Sequence, residues 1–271
     1  MSKNIMHLQK EFCRNFECLT NRRDRRIAWE DFITISQRTL DINKHLKNEP
    51  LPTHITGFYH DDEWECFGHM FDLTMEALER NPAQEFLGNL YMELKLSNHS
   101  RGETFTPYAV CQMMSSLTID DVEECIQKRG WASVHDPVCG AGATLIAFAN
   151  ECIQRGIDFQ RQVLFVGQDI SWTVAGMCFV QLSLLGCGGY VIVGNTLSSP
   201  LIGLSLLRPI EQEDQQIWYT PIYYLPPWSD RVVIDWFRRI DCGEKEGHNN
   251  GTNKETDGHP TENHEEGGKG V

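Results

Sequence analysis

The sequence lacks several features that would assign the chain to a large class of proteins. It has no run of about 18 apolar residues, the length that a transmembrane helix needs, because glycines and polar residues interrupt its most apolar stretch, 174–193. Its first residues include no apolar segment of the secretory type. No Cys-x-x-Cys pair occurs among the ten cysteines, which argues against a zinc ribbon or a thioredoxin-like motif. These absences predict a cytoplasmic protein without a membrane span, a disulfide framework or a metal site.

Positive charge is also scarce. The chain has 24 lysines and arginines against 38 aspartates and glutamates, a formal net charge of −14. A protein that binds DNA alone usually carries a basic patch. The only dense candidate is residues 22–26, Arg-Arg-Asp-Arg-Arg, which we interpret as a solvated helix face. A DNA target would therefore require a basic partner subunit or a local basic surface.

The chain divides into regions with different patterns. Residues 1–100 have apolar residues at helical spacing, as in Phe67, Met70 and Phe71, and are predicted to form a helical N-terminal region. Residues 101–242 alternate short apolar runs with helix-like segments, which predicts an α/β domain. Residues 243–271 contain almost no apolar residues, so we expect a disordered acidic tail.

The α/β region has the order strand, helix, strand, helix, strand. This order, at this spacing, predicts parallel βαβ units. Ligands of such sheets bind at the carboxyl ends of the strands. The predicted strands are 132–135, 163–167 and 190–194, and the predicted helices between them are 142–154 and 171–186.

A glycine turn follows the first predicted strand. The segment Asp136-Pro137-Val138-Cys139-Gly140-Ala141-Gly142 leads directly into a predicted helix. Its two glycines permit a tight turn and a close approach of a ligand to the backbone, and the helix N-terminus presents free N–H groups. On its own, such a turn fits a purely structural connection equally well.

Polar residues at the ends of the next two strands favour a nucleoside-binding site. Asp169 ends the second strand, where a carboxylate can accept hydrogen bonds from both ribose hydroxyls. Asn195 follows the third strand, where a polar side chain can hydrogen-bond an adenine edge. The glycine turn, the ribose acid and the adenine-reading residue thus stand at consecutive strand ends.

In these segments the chain resembles the N6-adenine DNA methyltransferases, and most closely the modification subunits of type I restriction systems. The family's glycine turn reads Asp-Pro-x-Cys-Gly-Ser-Gly-Gly, and Ala141 and Ala143 replace its Ser and its last Gly. The family's Gln-Phe-Phe-Thr-Pro segment, which closes over the methionine part of S-adenosylmethionine (SAM), corresponds to residues 102–107. The resemblance covers roughly residues 83–200.

The resemblance implies a Rossmann-like, SAM-dependent methyltransferase domain of the α/β class, preceded by a helical N-terminal region. It implies SAM as the cofactor, no metal, and site-specific N6 methylation of a flipped-out adenine in DNA, in a restriction-modification or phage setting. A specificity or other restriction-modification subunit is a further candidate partner. The implied cofactor-binding residues are Phe105, Thr106, Pro107, Asp136, Pro137, Cys139, Gly140, Ala141, Gly142, Asp169, Ile170, Asn195 and Thr196.

The catalytic motif of that family is not present in its usual form. The family has Asn/Asp-Pro-Pro-Phe/Tyr at the end of a fourth strand, where the aromatic ring stacks on the flipped adenine and the polar side chain accepts from its amine. The nearest segment, Leu225-Pro226-Pro227-Trp228, assigns the catalytic role to Pro226, Pro227 and Trp228, although Leu225 supplies no acceptor. Alternatively, residues 219–224 form the fourth strand, and the segment after them is a turn with a packing Trp.

Different functions therefore stay open. The chain is an adenine-specific DNA methyltransferase, a catalytically lapsed SAM-binding module that regulates or decoys a true DNA methyltransferase, or a methyltransferase for a small molecule or a protein side chain. The spaced matches favour the first, whereas the degenerate motif and the acidic charge favour the second. All of these proteins would bind SAM.

Overall fold

The computed structural model describes residues 3–97 and 105–241. The first of these ranges is helical, as the sequence predicts. Asp24 and Asp41 begin two of the helices, because their carboxylates accept hydrogen bonds from backbone N–H groups of the first turn. The helices are α1 (Lys3–Thr20), α2 (Arg25–Leu40), α3 (Ile42–Leu46), α4 (Thr53–Thr56), α5 (Asp61–Arg80) and α6 (Phe86–Glu93).

The second range has the α/β class that the sequence predicts. Strands and helices alternate through its first half, and short strands, a 3-10 helix and a long helix follow. The elements are α7 (Tyr108–Arg129), β1 (Ala132–Asp136), α8 (Ala143–Gln154), α9 (Phe159–Gln162), β2 (Val163–Asp169), α10 (Trp172–Leu184), β3 (Gly189–Val193), β4 (Ile202–Ser205), β5 (Arg208–Ile210), β6 (Gln216–Tyr219), the 3-10 helix Pro221–Tyr224 and α11 (Trp228–Asp241).

One sheet, in the order β1-β2-β3-β6, organises this part of the chain. Its first three strands are parallel, so Asp136, Asp169 and Val193 end at the same edge, which we call the carboxyl edge. β6 is antiparallel to β3, with Gln216 beside Val193 and Tyr219 beside Tyr190. The chain therefore leaves β6 at the opposite edge, the amino edge.

The strands bury their two faces in separate cores. On one face, Val163 and Phe165 of β2 pack with α7, α8 and α10, and this core continues into the N-terminal helices. On the other face, Leu164 and Val166 pack with aromatic residues that include Trp228. The predicted boundary near residue 100 falls between the two described ranges, and the predicted acidic tail, 243–271, lies outside them.

The arginine-rich segment 22–26 forms a solvated helix face only in part, since Arg25 and Arg26 are exposed in the first turn of α2 but the other two arginines are not in the helix. Arg22 and Arg23 lie in the turn before α2, and their guanidinium groups pair with Glu63 and Asp31 at 2.9 and 3.0 Å. Both carboxylates are buried, so these arginines neutralise internal acids. In the described part of the chain, no helix has the length and apolar character that a membrane span requires.

Candidate functional site

The glycine turn joins β1 to α8 in a backbone conformation that requires glycine. Gly140 has a φ of +56° and Gly142 a φ of +95°, both in the left-handed region that strains a side chain. The Gly142 N–H donates to the Cys139 carbonyl at 2.8 Å and closes the turn. A Cβ at position 142 would lie 2.9 Å from the Cys178 Sγ, because α10 packs directly against the turn.

Because Gly140 has no side chain, the backbone of the turn is bare on the side that faces Phe105. A Cβ at Gly140 would meet only the Phe105 ring, whose nearest atom would be 3.5 Å away. Phe105 is half-buried beside Tyr91, with a distance of 6.1 Å between the ring centres. The aromatic ring and the bare backbone of the turn thus face each other. Thr106 and Pro107, which follow Phe105, are exposed.

Asp136 and Pro137 hold the turn in place. One Asp136 carboxylate oxygen accepts from the Val138 N–H at 3.0 Å, and the other accepts from the Thr144 hydroxyl in the first turn of α8. The Pro137 carbonyl accepts from the Thr196 hydroxyl, which follows β3. These hydrogen bonds connect the end of β1 to α8 and to the loop after β3.

Asp169 connects the end of β2 to the same turn. Its Oδ2 accepts a hydrogen bond of 3.0 Å from the Gly140 N–H, and its Oδ1 accepts one of 2.9 Å from the Ser171 N–H. The exposed Asn195 side chain accepts from the Leu197 N–H at 2.9 Å in the loop after β3. The structure therefore brings together at one edge the predicted turn, the predicted ribose acid and the predicted adenine-reading residue.

Exposed apolar side chains surround these polar groups. Ile170 is 69% exposed, Val138 is 75% exposed and Leu197 is 93% exposed, each in a different loop of the carboxyl edge. A flat, partly apolar ligand would remove such side chains from water. Only Ile170 was among the predicted binding residues. Val138 and Leu197 were not predicted, although an apolar residue inside a loop is a signal that could have identified each of them.

A buried polar network connects the glycine turn to α10 and α6. The Gln181 side-chain amide donates to the Ala141 carbonyl at 2.9 Å and to the Glu85 carboxylate at 2.7 Å. Its oxygen accepts from the N–H groups of Phe86 and Leu87, so it also fixes the start of α6. Burial raises the pKa of Glu85 to about 7. Neither Glu85 nor Gln181 was among the predicted site residues, although a glutamine inside the apolar helix α10 is a signal that could have identified this pair.

Two predicted binding residues can contribute only through their backbone. The side chains of Cys139 and Ala141 are 5% and 3% exposed and point into the core. The Cys178 thiol, together with burial, raises the pKa of the Cys139 thiol well above its usual value. Cys139 is therefore a packing residue, and its thiol is unsuited to act as a nucleophile.

The predicted catalytic segment lies far from this site, and its predicted role is wrong. Trp228 is fully buried, and its indole N–H donates to the Gln160 carbonyl at 2.6 Å. Its ring packs edge-on against Trp131, just before β1, with 6.0 Å between the ring centres. These neighbours lie at the amino edge, so the Trp228 ring cannot stack on a base at the carboxyl edge.

Pro226 and Pro227 share that location, because they follow β6 after it has returned to the amino edge. The alternative interpretation, a turn with a packing Trp, describes the segment correctly. It fails in one respect, since residues 221–224 form a 3-10 helix and only Tyr219 belongs to a strand. Within the described ranges, no cluster of His, Cys, Asp and Glu side chains could hold a metal ion.

Comparisons with known proteins give one family. The model of a family described as N-6 DNA Methylase matches residues 83–249. No curated protein sequence matches the chain. Among solved structures, a Listeria monocytogenes protein assigned to the class I SAM-dependent methyltransferases is similar, with 14% sequence identity and a TM-score of 0.46. That similarity covers 74% of this chain and 56% of the other, so the chain spans little more than half of that protein.

Proposed function

Because the chain belongs to the N-6 DNA methylase family, we propose that it is a methyltransferase that methylates N6 of a flipped-out adenine in DNA. The observation that carries the proposal is that hydrogen bonds join the loops at the carboxyl ends of three strands. Asp169 accepts from Gly140, and Thr196 donates to Pro137, so residues from β1, β2 and β3 form one site. This is the edge at which parallel α/β sheets bind nucleotides.

SAM is the cofactor of this family, and when bound it supplies a methyl group activated by a sulfonium. The residues at the carboxyl edge fit such a molecule. The bare Gly140 backbone and the Phe105 ring would hold its methionine part, and the Asp169 carboxylate would accept from its ribose hydroxyls. The exposed Ile170 and Leu197 side chains would cover its adenine, whose edge Asn195 would recognise.

A calorimetric titration with SAM tests the cofactor site. We expect wild-type protein to bind, and Asp169→Ala to weaken binding about tenfold or more, because a charged hydrogen-bond acceptor is lost. Asp158→Ala is the matched control, since this exposed carboxylate precedes β2 rather than following it. Absence of binding by the wild type, or equal losses in both variants, would refute the site.

Incubation with labelled SAM and mixed-sequence DNA tests the reaction. The expected product is N6-methyladenine, identified by mass spectrometry of the digested nucleosides.

We further propose a restriction-modification setting in which a specificity subunit supplies DNA contacts, because the chain has a net charge of −14. Label on another base, or none after host extract is added, would contradict adenine methylation by this protein.

A second candidate is a SAM-binding module that regulates or decoys a true DNA methyltransferase. It is favoured by the sequence, which has no Asn/Asp-Pro-Pro-Phe/Tyr segment, and by the burial of Trp228 at the amino edge. This candidate predicts SAM binding without DNA labelling. It also predicts a changed methylation rate when the protein is mixed with an active adenine methyltransferase, with Asp169→Ala as the control.

A further inference from the structure

The lateral side of β1 that faces away from β2, which we call the β1 edge, has no partner strand among the described residues. β1 is the first strand in the order β1-β2-β3-β6, and no described residue pairs with its second edge. Proteins usually blunt such an edge with Pro, Lys, a bulge or a covering element, because unpaired backbone groups recruit other strands. β1 has the sequence Ala-Ser-Val-His-Asp and pairs with β2 in an unbroken register. It therefore contains no Pro, no Lys and no bulge.

The other outer strand of the sheet is protected. In β6, the Ile217 N–H donates a hydrogen bond of 2.8 Å to the Glu211 carboxylate. A side chain thus satisfies a backbone donor of this strand. Among the residues that the structure describes, no side chain makes an equivalent hydrogen bond to the backbone of residues 133–135. The difference marks the β1 edge as a surface that another strand can pair with.

Helix α7 extends an apolar stripe beside this edge. Its buried side, which includes Ile119 and Val122, packs toward α8. A groove of about 450 Å³ runs between α7, α8 and β1, and Met114 lines it. The exposed stripe has the spacing i, i+3, i+4 and i+7 of one helix face, and consists of Val110 (40% exposed), Met113 (57%), Met114 (47%) and Leu117 (74%).

The opposite face of the sheet has a similar neighbour in α11. Arg231 of this helix donates to the Gly130 carbonyl at 3.3 Å, which anchors α11 beside the start of β1. Its outward side chains are nevertheless apolar: Val233, Ile234, Trp236 and Phe237 are all between 42% and 56% exposed. Contiguous exposed apolar residues of this kind mark interaction surfaces.

We propose that the β1 edge docks a β-strand of a different, basic polypeptide, which pairs with β1 between the α7 and α11 sides. Backbone pairing of this type is a common mode of peptide recognition. Because apolar side chains flank both faces, the docked strand would be buried on both faces, which calls for a run of about five apolar residues. Asp121 lines the groove and has no ion pair in the described part of the chain, so it selects a Lys or Arg beside that run.

Two other occupants fit less well. Residues 242–271 contain no run of apolar residues, whereas a strand buried on both faces requires one. A second copy would bring its own Asp121 against the same groove, where two like charges would meet. The neighbouring acids Asp120, Glu123 and Glu124 are already paired with Arg155 and Lys128. A basic partner complements the surface, and the chain as a whole carries a charge of −14.

Docking would place the end of the partner strand at the catalytic side of the molecule. β1 ends at Asp136, where the glycine turn begins, so a parallel partner strand would end beside the proposed SAM site. Residues of the partner could then reach the substrate. Only this consequence depends on the proposed function, since the open edge and the apolar stripe exist independently of any methyl transfer.

A synthetic peptide provides the test. The probe is Lys-Lys-Val-Ile-Val-Ile-Val-Lys-Lys, and its controls replace the central Val by Pro or all four Lys by Glu. We expect the probe to slow hydrogen exchange of the amides of residues 133–135 about tenfold, and the controls to have little effect. Binding without protection of these amides would overturn the proposal.

Matched methionine variants separate docking from general effects. Met114→Asp should weaken probe binding about tenfold, whereas Met75→Asp on α5 should not, because Met75 is similarly exposed (46% against 47%) but lies elsewhere. Equal losses in both variants would refute the proposal, and so would sedimentation of the free protein as a dimer with protected β1 amides. A SAM titration of the same samples distinguishes the docking proposal from the proposed function. If the probe docks but SAM does not bind, only the proposed function is rejected.

Discussion

Gly140 and Gly156 have the same backbone conformation but lie in different places, so substitutions at the two positions should have different effects. Both have a left-handed φ, +56° and +70°, but only Gly140 faces the Phe105 ring and donates to Asp169. A side chain in this conformation costs roughly 1 kcal/mol. Each glycine therefore contributes to stability, whereas only Gly140 belongs to the proposed cofactor site.

We expect Gly140→Ala to lower SAM affinity about tenfold or more, because the new methyl group occupies the space between the turn and Phe105. Gly156→Ala should cost a similar free energy of unfolding, about 1 kcal/mol, and leave SAM affinity unchanged. Calorimetry and urea unfolding measure the two quantities on the same preparations. A parallel loss of affinity in both variants would show that stability alone, and not the turn, governs binding.

Glu85 should make stability depend on pH. Its pKa is raised from 4.5 to about 7 by burial, so between these values the folded state keeps a proton that the unfolded state has released. The free energy of unfolding should therefore fall as pH rises through this window, by about 3 kcal/mol, and stay level above it. Removal of the proton leaves a charge in the core.

Glu85→Gln should remove this pH dependence, because glutamine retains an acceptor oxygen for Gly88 and Gln181 but has no proton to release. The measurement is urea unfolding at pH 5 and pH 8, and we expect the variant to gain relative to the wild type at the higher pH. The exposed Glu79→Gln is the control. If the free energies of unfolding of the variant and the wild type differ by the same amount at pH 5 and pH 8, Glu85 is excluded as the cause of the pH dependence.

At the scale of elements, α6 must approach the glycine turn closely. A Cβ on Gly88 would lie 2.9 Å from the Ala141 Cβ and 2.2 Å from the Glu85 carboxylate. We expect Gly88→Ala to destabilise the protein by about 1–3 kcal/mol, as overpacking does, and to weaken SAM binding by moving Ala141.

The control for this helix is Gly68→Ala on α5, where a Cβ would meet no atom within 4 Å. That change should stabilise the protein by up to about 1 kcal/mol, because alanine is the better helix former. Thermal unfolding of both variants gives the comparison. A stable Gly88→Ala protein with normal SAM binding would show that α6 and the turn can separate without consequence.

The elements differ in how far sequence determines them. β1, β2 and β3 were predictable within one or two residues, because each is a short run between glycine-rich or polar loops, and β2 and β3 are apolar since they are buried on both faces. The three strand ends of the site followed from this order. β6 was not predictable, since its antiparallel pairing with β3 depends on contacts across the fold and Pro221 stops the aromatic run after Tyr219. The error over Trp228 follows from that reversal of direction.

Long-range contacts also explain which site residues escaped prediction. Glu85 and Gln181 are 96 positions apart and meet only because α6 packs on α10. Val138 and Leu197 have no polar group that would single them out, and their exposure depends on the loops that carry them. Local patterns thus identify groups that bind through polar chemistry, whereas supporting and apolar residues require the tertiary structure.

At the scale of the whole molecule, the distribution of charge determines how the protein can meet DNA. The chain has a net charge of −14. The side chains of Arg23 and its partner Asp31 are 16% and 3% exposed, so this arginine is committed to a buried acid. Arg22 pairs with Glu63, which is 6% exposed. Within the densest basic segment of the sequence, Arg23 is therefore used inside the protein, Arg22 is 42% exposed beside a buried acid, and Arg25 and Arg26 are exposed at the start of α2.

We expect the protein alone to bind mixed-sequence duplex DNA with a Kd weaker than about 10⁻⁴ M at physiological salt, the weak limit of nonspecific DNA binding. Arg23→Gln should lower the free energy of unfolding by about 1–3 kcal/mol, because the buried Asp31 loses its arginine partner but keeps the hydrogen bond from the Tyr59 hydroxyl, and it should not change DNA affinity. The exposed Arg26→Gln is the matched control for stability. Fluorescence anisotropy with labelled duplex measures the affinity. A micromolar Kd that Arg22→Gln and Arg23→Gln abolish, in proteins that remain folded, would instead make this segment a phosphate clamp and remove the need for a basic partner.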